Sequence, residues 1–502
     1  MRRFRIRANA GHGDTSPILL NGLILLIILA VLGGCGRGDH EDQSSAPEGL
    51  PDTDRLRALP YVGGTSAGPD HSPSVLLHDE ERVCPGYRLY TVPMLARAEL
   101  IDEQGRVLRQ WQGQAHDRWQ RAVLLPDGDL LVIGAEGQGW ISGRKEAEHI
   151  PDSTRYILRL DSDGRQVWKR RLTAHHDIDL WPDGKLLVLT LHNRERTGHQ
   201  GTVLIRDDHL TLLDGQGRVL ESKSLLDAIQ RAPDRFPFIE VAIKKVNGVP
   251  WVDLFHANSV ERMHDESLRA KDPLYGPENI LVCFRHQDRI AIFDWPRNRV
   301  VWAWGQGRIS GPHDAQILQN GHILLFDNGL SRGWSRVLEI DPLTDEIMWE
   351  YRGQPPESFF TVGRGSAQRL PNGNTLMAES DRGRALEVTA EGNVVWEFLC
   401  PHRLEQHRRA AIVRMIWYSD EYLRPLLDAR DSTMAAGHDS RTETINDPEL
   451  FCRQMMLRCA HYCEVKKLPP GFELLASSGH CRIAAVRHRD RPLYGTQFHP
   501  EA

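Results

Sequence analysis

The chain has 502 residues, with 62 basic against 68 acidic side chains, a formal net charge of −6, 40% hydrophobic and 26% charged residues. Those values exclude a wholly disordered chain and a polytopic membrane protein, and the balanced charge gives no ground for a nucleic-acid partner. The 13 Trp and 43 Gly fit many aromatic-anchored strands joined by turns, in roughly three domains or one large all-β domain with appendages.

At the N-terminus, Arg2, Arg3, Arg5 and Arg7 precede an apolar run from Ile18 to Leu32. A basic segment followed by roughly fifteen apolar residues is short for a membrane span and fits a secretory leader. The run ends in Leu32-Gly33-Gly34-Cys35, which resembles a bacterial lipobox with Cys35 as the lipidated residue. The rival reading is an uncleaved anchor with its positive end left inside. Both predict an exported protein, periplasmic or on the cell surface and tethered to the membrane. Residues 36–84 are rich in Gly, Pro, Ser, Asp and Glu and read as a solvated linker. Cys84, Cys283 and Cys400 are too scattered to imply a disulfide framework.

Between about residues 98 and 400, within a predicted domain of residues 85–427, the chain repeats a pattern: an alternating strand, a turn with Asp and Gly, a strand ending in an aromatic, then apolar-x-Pro-Asp/Asn-Gly and another strand. Copies begin at Ala98 (AELIDEQGRVLRQW, with AVLLPDGDLLVIG), Tyr156 (YILRLDSDGRQVW, with DIDLWPDGKLLVL) and Leu210 (LTLLDGQGRVL, its closing strand delayed to ENILVCF). Others begin at Ile290 (IAIFDWPRNRVVW, with AQILQNGHILLF), Val337 (VLEIDPLTDEIMW, with AQRLPNGNTLMA) and Ala385 (ALEVTAEGNVVW). Period-two alternation buries one face of a strand, Asp-Gly and Asn-Gly supply the turn conformations, and the Trp anchors stacked sheets. A unit of this size cannot bury both its faces alone, and a spacing of about fifty residues is that of propeller blades. The predicted fold is all-β, a six-bladed β-propeller with a short α/β C-terminal fragment. A strand around Gly86–Thr91 is expected to complete the last blade; a β-solenoid would have shorter repeats. Asp161-Ser162-Asp163-Gly164 resembles the start of a calcium loop, but Leu172 stands where its bidentate Glu belongs, so a hairpin turn is predicted.

The inner strands of a propeller converge on its axis. Eight positions before the glycine of Pro-Asp/Asn-Gly stand His176 and His313, each followed by an Asp (Asp177, Asp314), while Gln120 and Gly365 occupy that place in two other copies. His256 opens the corresponding strand of the long third copy. Three histidines at one repeat position suit catalysis or metal binding, with Asp177 and Asp314 as candidate partners of the imidazoles. The alternative is that all three are structural.

The stretches GPHDAQILQNGHILLFDNG, HANSV and RGSAQRLPNGNTLMAE, with the blades around them over roughly residues 85–425, resemble the bacterial arylsulfate sulfotransferases. The resemblance implies an exported six-bladed propeller that moves a sulfuryl group from an aryl sulfate to a phenol, through a sulfated histidine and without the nucleotide donor PAPS or another cofactor. By position, His313 would be the nucleophile, His176 and His256 would hydrogen-bond the sulfuryl oxygens, and Arg285 would neutralise developing charge. Arg364 and Arg369 are candidate substrate-binding residues that stand near the matching point of another copy. No metal is implied. Partners would be the aryl sulfate, the phenol and, through the N-terminus, a membrane; a homo-oligomer is left open. The alternative is a non-catalytic exported propeller that binds a protein or glycan.

Residues 401–427 suggest a helix packed against the propeller, and 428–446 a linker. In the segment 447–502, YGTQFHPE resembles the His–Glu motif of class I glutamine amidotransferases, carried by His499 and Glu501. In that family the His activates a cysteine and the Glu orients it. No Gly-x-Cys-x-Gly elbow occurs in the chain, so the pair is predicted to be degenerate and the segment inactive, as a remnant or a gene-model fusion. Cys452, Cys459, Cys463, His461 and Cys481 lack the paired spacing of a zinc site and read as core residues.

Overall fold

The computed structural model describes residues 74–137, 152–198, 201–246, 249–263, 265–404, 408–424 and 426–427, with short strands at Gly64–Ser66, Phe472–Ala476, Ala485–His488 and Tyr494–Thr496. Cys35, His499, Glu501 and the C-terminal cysteines lie outside the described residues, as does the apolar N-terminal run. Among the described residues no helix is long and apolar enough to cross a membrane.

Residues 1–427 and 428–502 form separate compact units. In the first, six sheets, antiparallel but for one added strand in blade 3, make a six-bladed β-propeller. Blade 2 is the regular case: Arg118–Leu124, Leu130–Ala135, Arg155–Leu160 and Gln166–Arg171, running outward from the axis. Its outer turn is the calcium-loop lookalike. There Asp161 Oδ1 accepts the N–H of Asp163 at 2.9 Å and of Arg165 at 2.8 Å, while Gly164 takes φ +83°, so the acidic side chain is spent on turn geometry. The repeat and the blade are out of phase. Each hairpin ending in an aromatic closes the outside of one blade, and the Pro-Asp/Asn-Gly pair that follows opens the next. Trp111, Trp168 and Trp396 are buried as anchors, whereas Trp302 and Trp349 are half-buried.

Two expectations about ring closure are corrected. The strand Tyr87–Val92 does not complete the last blade. It is the second strand of blade 1, whose innermost strand is Met415–Tyr418 from the far end of the domain, paired Met415 to Tyr90 and Tyr418 to Tyr87. The strand added to the outside of blade 6 is Val75–His78, on Val394–Leu399. Residues 401–427 are therefore not one helix: they supply the strands Arg408–Ala410 and Met415–Tyr418, and helical turns begin only at Asp420. The reason is that Tyr87–Val92 would otherwise present an unpaired inner edge. Arg88 and Glu387, both fully buried, pair at 2.9 Å, joining blade 1 to blade 6.

Side chains at matched points of the inner strands accept N–H groups from the next blade. Asp177 takes that of Val260 (3.1 Å), Ser259 that of Ala315 (3.0 Å) and Asp314 that of Ala367 (3.0 Å). Two residues further out, Asp179, Glu261 and Gln368 take those of Arg262, Ile317 and Trp417. This ladder defines equivalent positions without reference to the turns. Blade 3 departs from the pattern: its hairpin Leu186–Gly198/Gly201–Leu213 is long, and the strand Val249–Asp253 adds in parallel beside Leu204–Arg206. The second unit contains a three-stranded antiparallel sheet, Phe472–Ala476, Ala485–His488 and Tyr494–Thr496.

Candidate active site

The ladder corrects one reading. His176, Asn258, His313 and Gly365 share one level, so His176 and His313 are equivalent but Asn258 takes the third place. His256 reaches the site from two residues upstream. It does so because its backbone is left-handed, at φ +50°, as is that of His176, at φ +59°. Such a conformation is costly for a residue with a side chain and is held where the surroundings over-determine it. At the sixth blade no side chain fits: Gly365 has φ +104°, and a Cβ there would stand 2.6 Å from the Phe326 ring.

The predicted residues His176, His256, His313 and Arg285 come together. The rings of His176 and His256 are 5.0 Å apart by centroid, and His256 and His286 are 4.7 Å apart. Arg285 rides on the turn between Asn279–Phe284 and Arg289–Asp294, where its N–H meets the carbonyl of His256 (3.2 Å) and that of His286 meets Phe255 (3.0 Å). Its guanidinium contacts His286 Nε2 at 3.1 Å and acts electrostatically on His313 and His256.

Asp177 and Asp314 do not orient the histidines. Asp177 binds Arg121 (3.0 Å) and Arg414 (3.2 Å), and Asp314 binds Arg414 (2.7 Å). By the ladder, Arg414, Arg121, Asp177, Ser259, Asp314 and Ser366 form one ring around the axis, a plug of balanced charge next to the histidine level. The imidazoles have other partners. His313 Nδ1 lies 2.8 Å from Asn328 Oδ1 and 3.0 Å from the Gly311 carbonyl, and its Nε2 accepts the Arg364 N–H at 3.2 Å. The Asn328 amide nitrogen donates to the carbonyls of Thr361 and Arg364, both at 2.8 Å, so its oxygen faces His313 and Nδ1 carries the proton. His256 Nδ1 lies 2.6 Å from Asp253 Oδ2. His176 Nδ1 lies 2.7 Å from His175 Nδ1, and His175 Nε2 lies 3.1 Å from Asp208.

Burial, reinforced by Arg285, holds His313 well below the usual imidazole range, and burial with the neighbouring imidazoles does the same to His176. Burial also lowers His256, although Asp253 pulls the other way. Asp208 is pushed up to about 7 by burial and the nearby Asp253. Burial would raise Asp253 too, but His256 and His286 outweigh it and hold it well below the carboxylate range.

Arg364 is at the site through its backbone; its guanidinium points to Asp381, 3.8 Å away. Arg369 is not at the site. It sits at the turn end of its strand, on Glu339 (2.6 Å) and over the Trp349 ring, because the end of an inner strand that meets the axial histidines is its first residue. Asp253, His256 and His286 could each offer one metal-ligand atom within 4.8 Å of one another. However, His286 Nδ1 is engaged by the Asp253 carbonyl at 2.7 Å and its Nε2 by Arg285, and a guanidinium so close opposes a cation. The set fits a hydrogen-bonded network better than a metal centre.

Sequence reasoning missed Asn328, Asp253, Asp208, His286, Arg121 and Arg414. The spacing of Asp253 from His256, three residues, was a usable signal, and Arg121 follows Gln120 at the repeat position; Arg414 precedes no turn and carried none.

Comparison with known proteins gives two family matches. Residues 429–502 match the class-I glutamine amidotransferase family. There the chain is 43% identical over 72 residues to the glutamine-hydrolyzing GMP synthase subunit of Archaeoglobus fulgidus, covering 14% of this chain and 39% of that protein. It is 49% identical over 49 residues to its counterpart in Methanocaldococcus jannaschii, covering 10% of this chain and 26% of that protein. The chain thus spans well under half the length of these curated relatives. Among solved structures, a Bacteroides caccae protein of unknown function is similar with TM-score 0.42, 12% identity, 66% of this chain and 98% of that one. The β-propeller domain of Myceliophteria_thermophila Cps50 (Swd1) has TM-score 0.37, 13% identity, 70% of this chain and 98% of that one. Residues 155–400, from blade 2 through blade 6 and including the converged histidines, match the arylsulfotransferase (ASST) family.

Proposed function

We propose that the propeller transfers a sulfuryl group from an aryl sulfate to a phenol through a sulfated His313. The observation that carries this reading is the state of His313: Asn328 holds its proton on Nδ1, so the ring's lone pair is on Nε2, where it accepts the Arg364 N–H and lies in the field of the Arg285 guanidinium. Attack on sulfur exchanges that hydrogen bond for the S–N bond and frees the N–H to face a sulfuryl oxygen. In the first half-reaction Nε2 attacks sulfur, an S–N bond forms and the S–O bond to the aryl group breaks, releasing phenolate. In the second, the oxygen of an acceptor phenol attacks sulfur, its proton passes to a neighbouring base or to water, and the electron pair of the S–N bond returns to Nε2. Sulfuryl transfer, like phosphoryl transfer, asks the protein mainly for positioning and charge stabilisation. Arg285 supplies positive charge, His176 stands beside the sulfuryl group, His256 can donate to it only when its ring carries a second proton, and Arg364, left-handed at φ +59°, offers a backbone donor. One site serves donor and acceptor in turn, which is ping-pong chemistry.

The basic, apolar N-terminus ending at Cys35 supports export and a membrane tether for this activity. The C-terminal segment, matched over a fraction of its relatives, is proposed to lack amidotransferase activity because its cysteine elbow is missing from the sequence.

The test is a rapid-mixing assay of the full chain with 4-nitrophenyl sulfate, beside His313→Ala. A burst of 4-nitrophenol matching the enzyme concentration, a sulfuryl adduct on the peptide carrying His313 and loss of both in the variant are expected. Absence of burst and adduct across several aryl sulfates from folded protein would overturn the reading in favour of a non-catalytic binding propeller.

A further inference from the structure

The three axial imidazoles carry partners of different chemistry, and this difference divides their labour. Asn328 offers His313 a neutral amide, which keeps a nucleophile unprotonated. His256 instead faces a carboxylate: its Nδ1 lies 2.6 Å from Asp253 Oδ2. A carboxylate on one imidazole nitrogen fixes the tautomer and supports a proton arriving at the other. Asp253 comes from a part of the chain with no counterpart in the other blades. It ends the strand Val249–Asp253, which pairs in parallel with the long hairpin of blade 3, its Asp253 opposite Arg206. Its own backbone carbonyl anchors His286, which in turn contacts Arg285. One residue thus orients both the acid–base candidate and the residue beside the arginine.

We infer that Asp253 is a positioning residue that makes His256 the proton carrier of the reaction, acting at the phenolic oxygen. This deepens the sulfuryl-transfer reading and rests on it. In the acceptor half-reaction, His256 Nε2 takes the proton of the acceptor phenol as its oxygen bonds to sulfur, giving an imidazolium paired with the Asp253 carboxylate. In the donor half-reaction that imidazolium returns the proton to a departing phenolate that needs it, so the proton cycles; when the phenolate leaves unprotonated, the imidazolium gives the proton to solvent before the next acceptor binds. A donor whose phenolate is stable without a proton needs no such help; a weakly acidic acceptor always does.

Groups facing His256 come from every packed element: Asp253 from the added strand, Asp208 from the long hairpin, Arg285 and His286 from the blade 4 turn, His176 and His313 from neighbouring inner strands. Arg285 and burial lower its proton affinity, while Asp253 and Asp208 raise it. Removing the Asp253 charge therefore weakens the base.

The experiment compares the full-length wild type with Asp253→Asn and Asp253→Glu, using 4-nitrophenyl sulfate as donor. For Asp253→Asn, transfer to unsubstituted phenol should fall about 100-fold, at least about tenfold more than the burst of 4-nitrophenol falls. The deficit should shrink with acidic phenols that are already ionised, and with rising pH, and Asp253→Glu should restore part of the rate. Equal loss of burst and transfer, or a deficit independent of acceptor acidity, would overturn the inference by making Asp253 merely structural. A wild-type chain with no burst at all would instead defeat the sulfuryl-transfer reading on which it stands.

Discussion

Arg414 lies 2.7 Å from Asp314, the neighbour of His313 in sequence. The same guanidinium reaches Asp177, the neighbour of His176, at 3.2 Å, and the carbonyl of Asn258 at 3.0 Å. Asn258 in turn donates to the Pro312 carbonyl at 2.9 Å. A residue of the ring-closing segment therefore holds three blades at the level next to the axial histidines.

Substituting it should be severe. Arg414→Met leaves Asp177 and Asp314 buried with Arg121 alone, and removing one partner of a buried charge cluster costs about 3–5 kcal/mol. Equilibrium urea unfolding should show a loss in that range, with Arg414→Lys intermediate. A change under about 1 kcal/mol would mean that water, not Arg414, satisfies the two carboxylates.

A second test lies at the seam between first and last blades. Arg88 and Glu387 are fully buried, and Glu387 Oε1 also accepts the N–H of Cys84 at 2.6 Å and the Asn374 amide at 2.7 Å. Glu387→Ala should destabilise by about 3–5 kcal/mol and raise proteolysis at the seam before global unfolding. Glu387→Gln keeps the hydrogen bonds to Cys84 and Asn374 and should lose less. Equal losses would assign the effect to charge alone.

The tautomer of His313 is testable through Asn328. Asn328→Ala should reduce the burst of 4-nitrophenol about 100-fold or more, as expected when an imidazole loses the group that fixes its proton. Asn328→Asp puts a negative charge beside Nδ1 and raises the proton affinity of His313, so the acid limb of the rate profile should move to higher pH. Wild type, with His313 held well below the usual range, should keep its rate into mildly acidic solution. An acid limb at the same pH in both proteins would show that another group controls it.

Stability should also depend on pH. Burial lowers His175, His176, His286 and His313 well below 6.5, so the unfolded chain binds protons that the folded one refuses. Their contribution is fully present above the unfolded value and is lost as pH falls from about 6.5 toward the folded values. Asp208, raised to about 7, and Glu261, raised by burial, work the other way, since folding favours their protonated forms. Burial also lowers His256 and raises Asp129, Asp314, Glu379 and Asp381. All five imidazoles take up protons in this range once unfolded, so the histidines are expected to dominate and the melting temperature to fall between about pH 7 and pH 5. A flat or rising profile would mean that the carboxyls outweigh the imidazoles.

The blades were legible in the sequence because their determinants are local. Alternation along Tyr156–Leu160 and the Asp161–Gly164 turn depend on neighbours a few residues apart, as does the equivalence of His176 and His313, which rests on a fixed distance to the next turn. What the chain could not display by itself were relations between residues distant in sequence. Met415–Tyr418 closes blade 1, yet no turn follows it, and its pairing with Tyr87–Val92 exists only once the ring closes. The partners of the histidines were misassigned to Asp177 and Asp314 because adjacency along a strand suggests contact, whereas successive side chains point to opposite faces. Asn328, Asp253 and Arg414 reach the axis from the end of a second strand, an added strand and the closing segment. The local pattern determined the repeat and the level of two axial histidines. Only circular packing of the blades decided which charge each histidine meets, because closing the ring places groups side by side that no spacing in the chain relates.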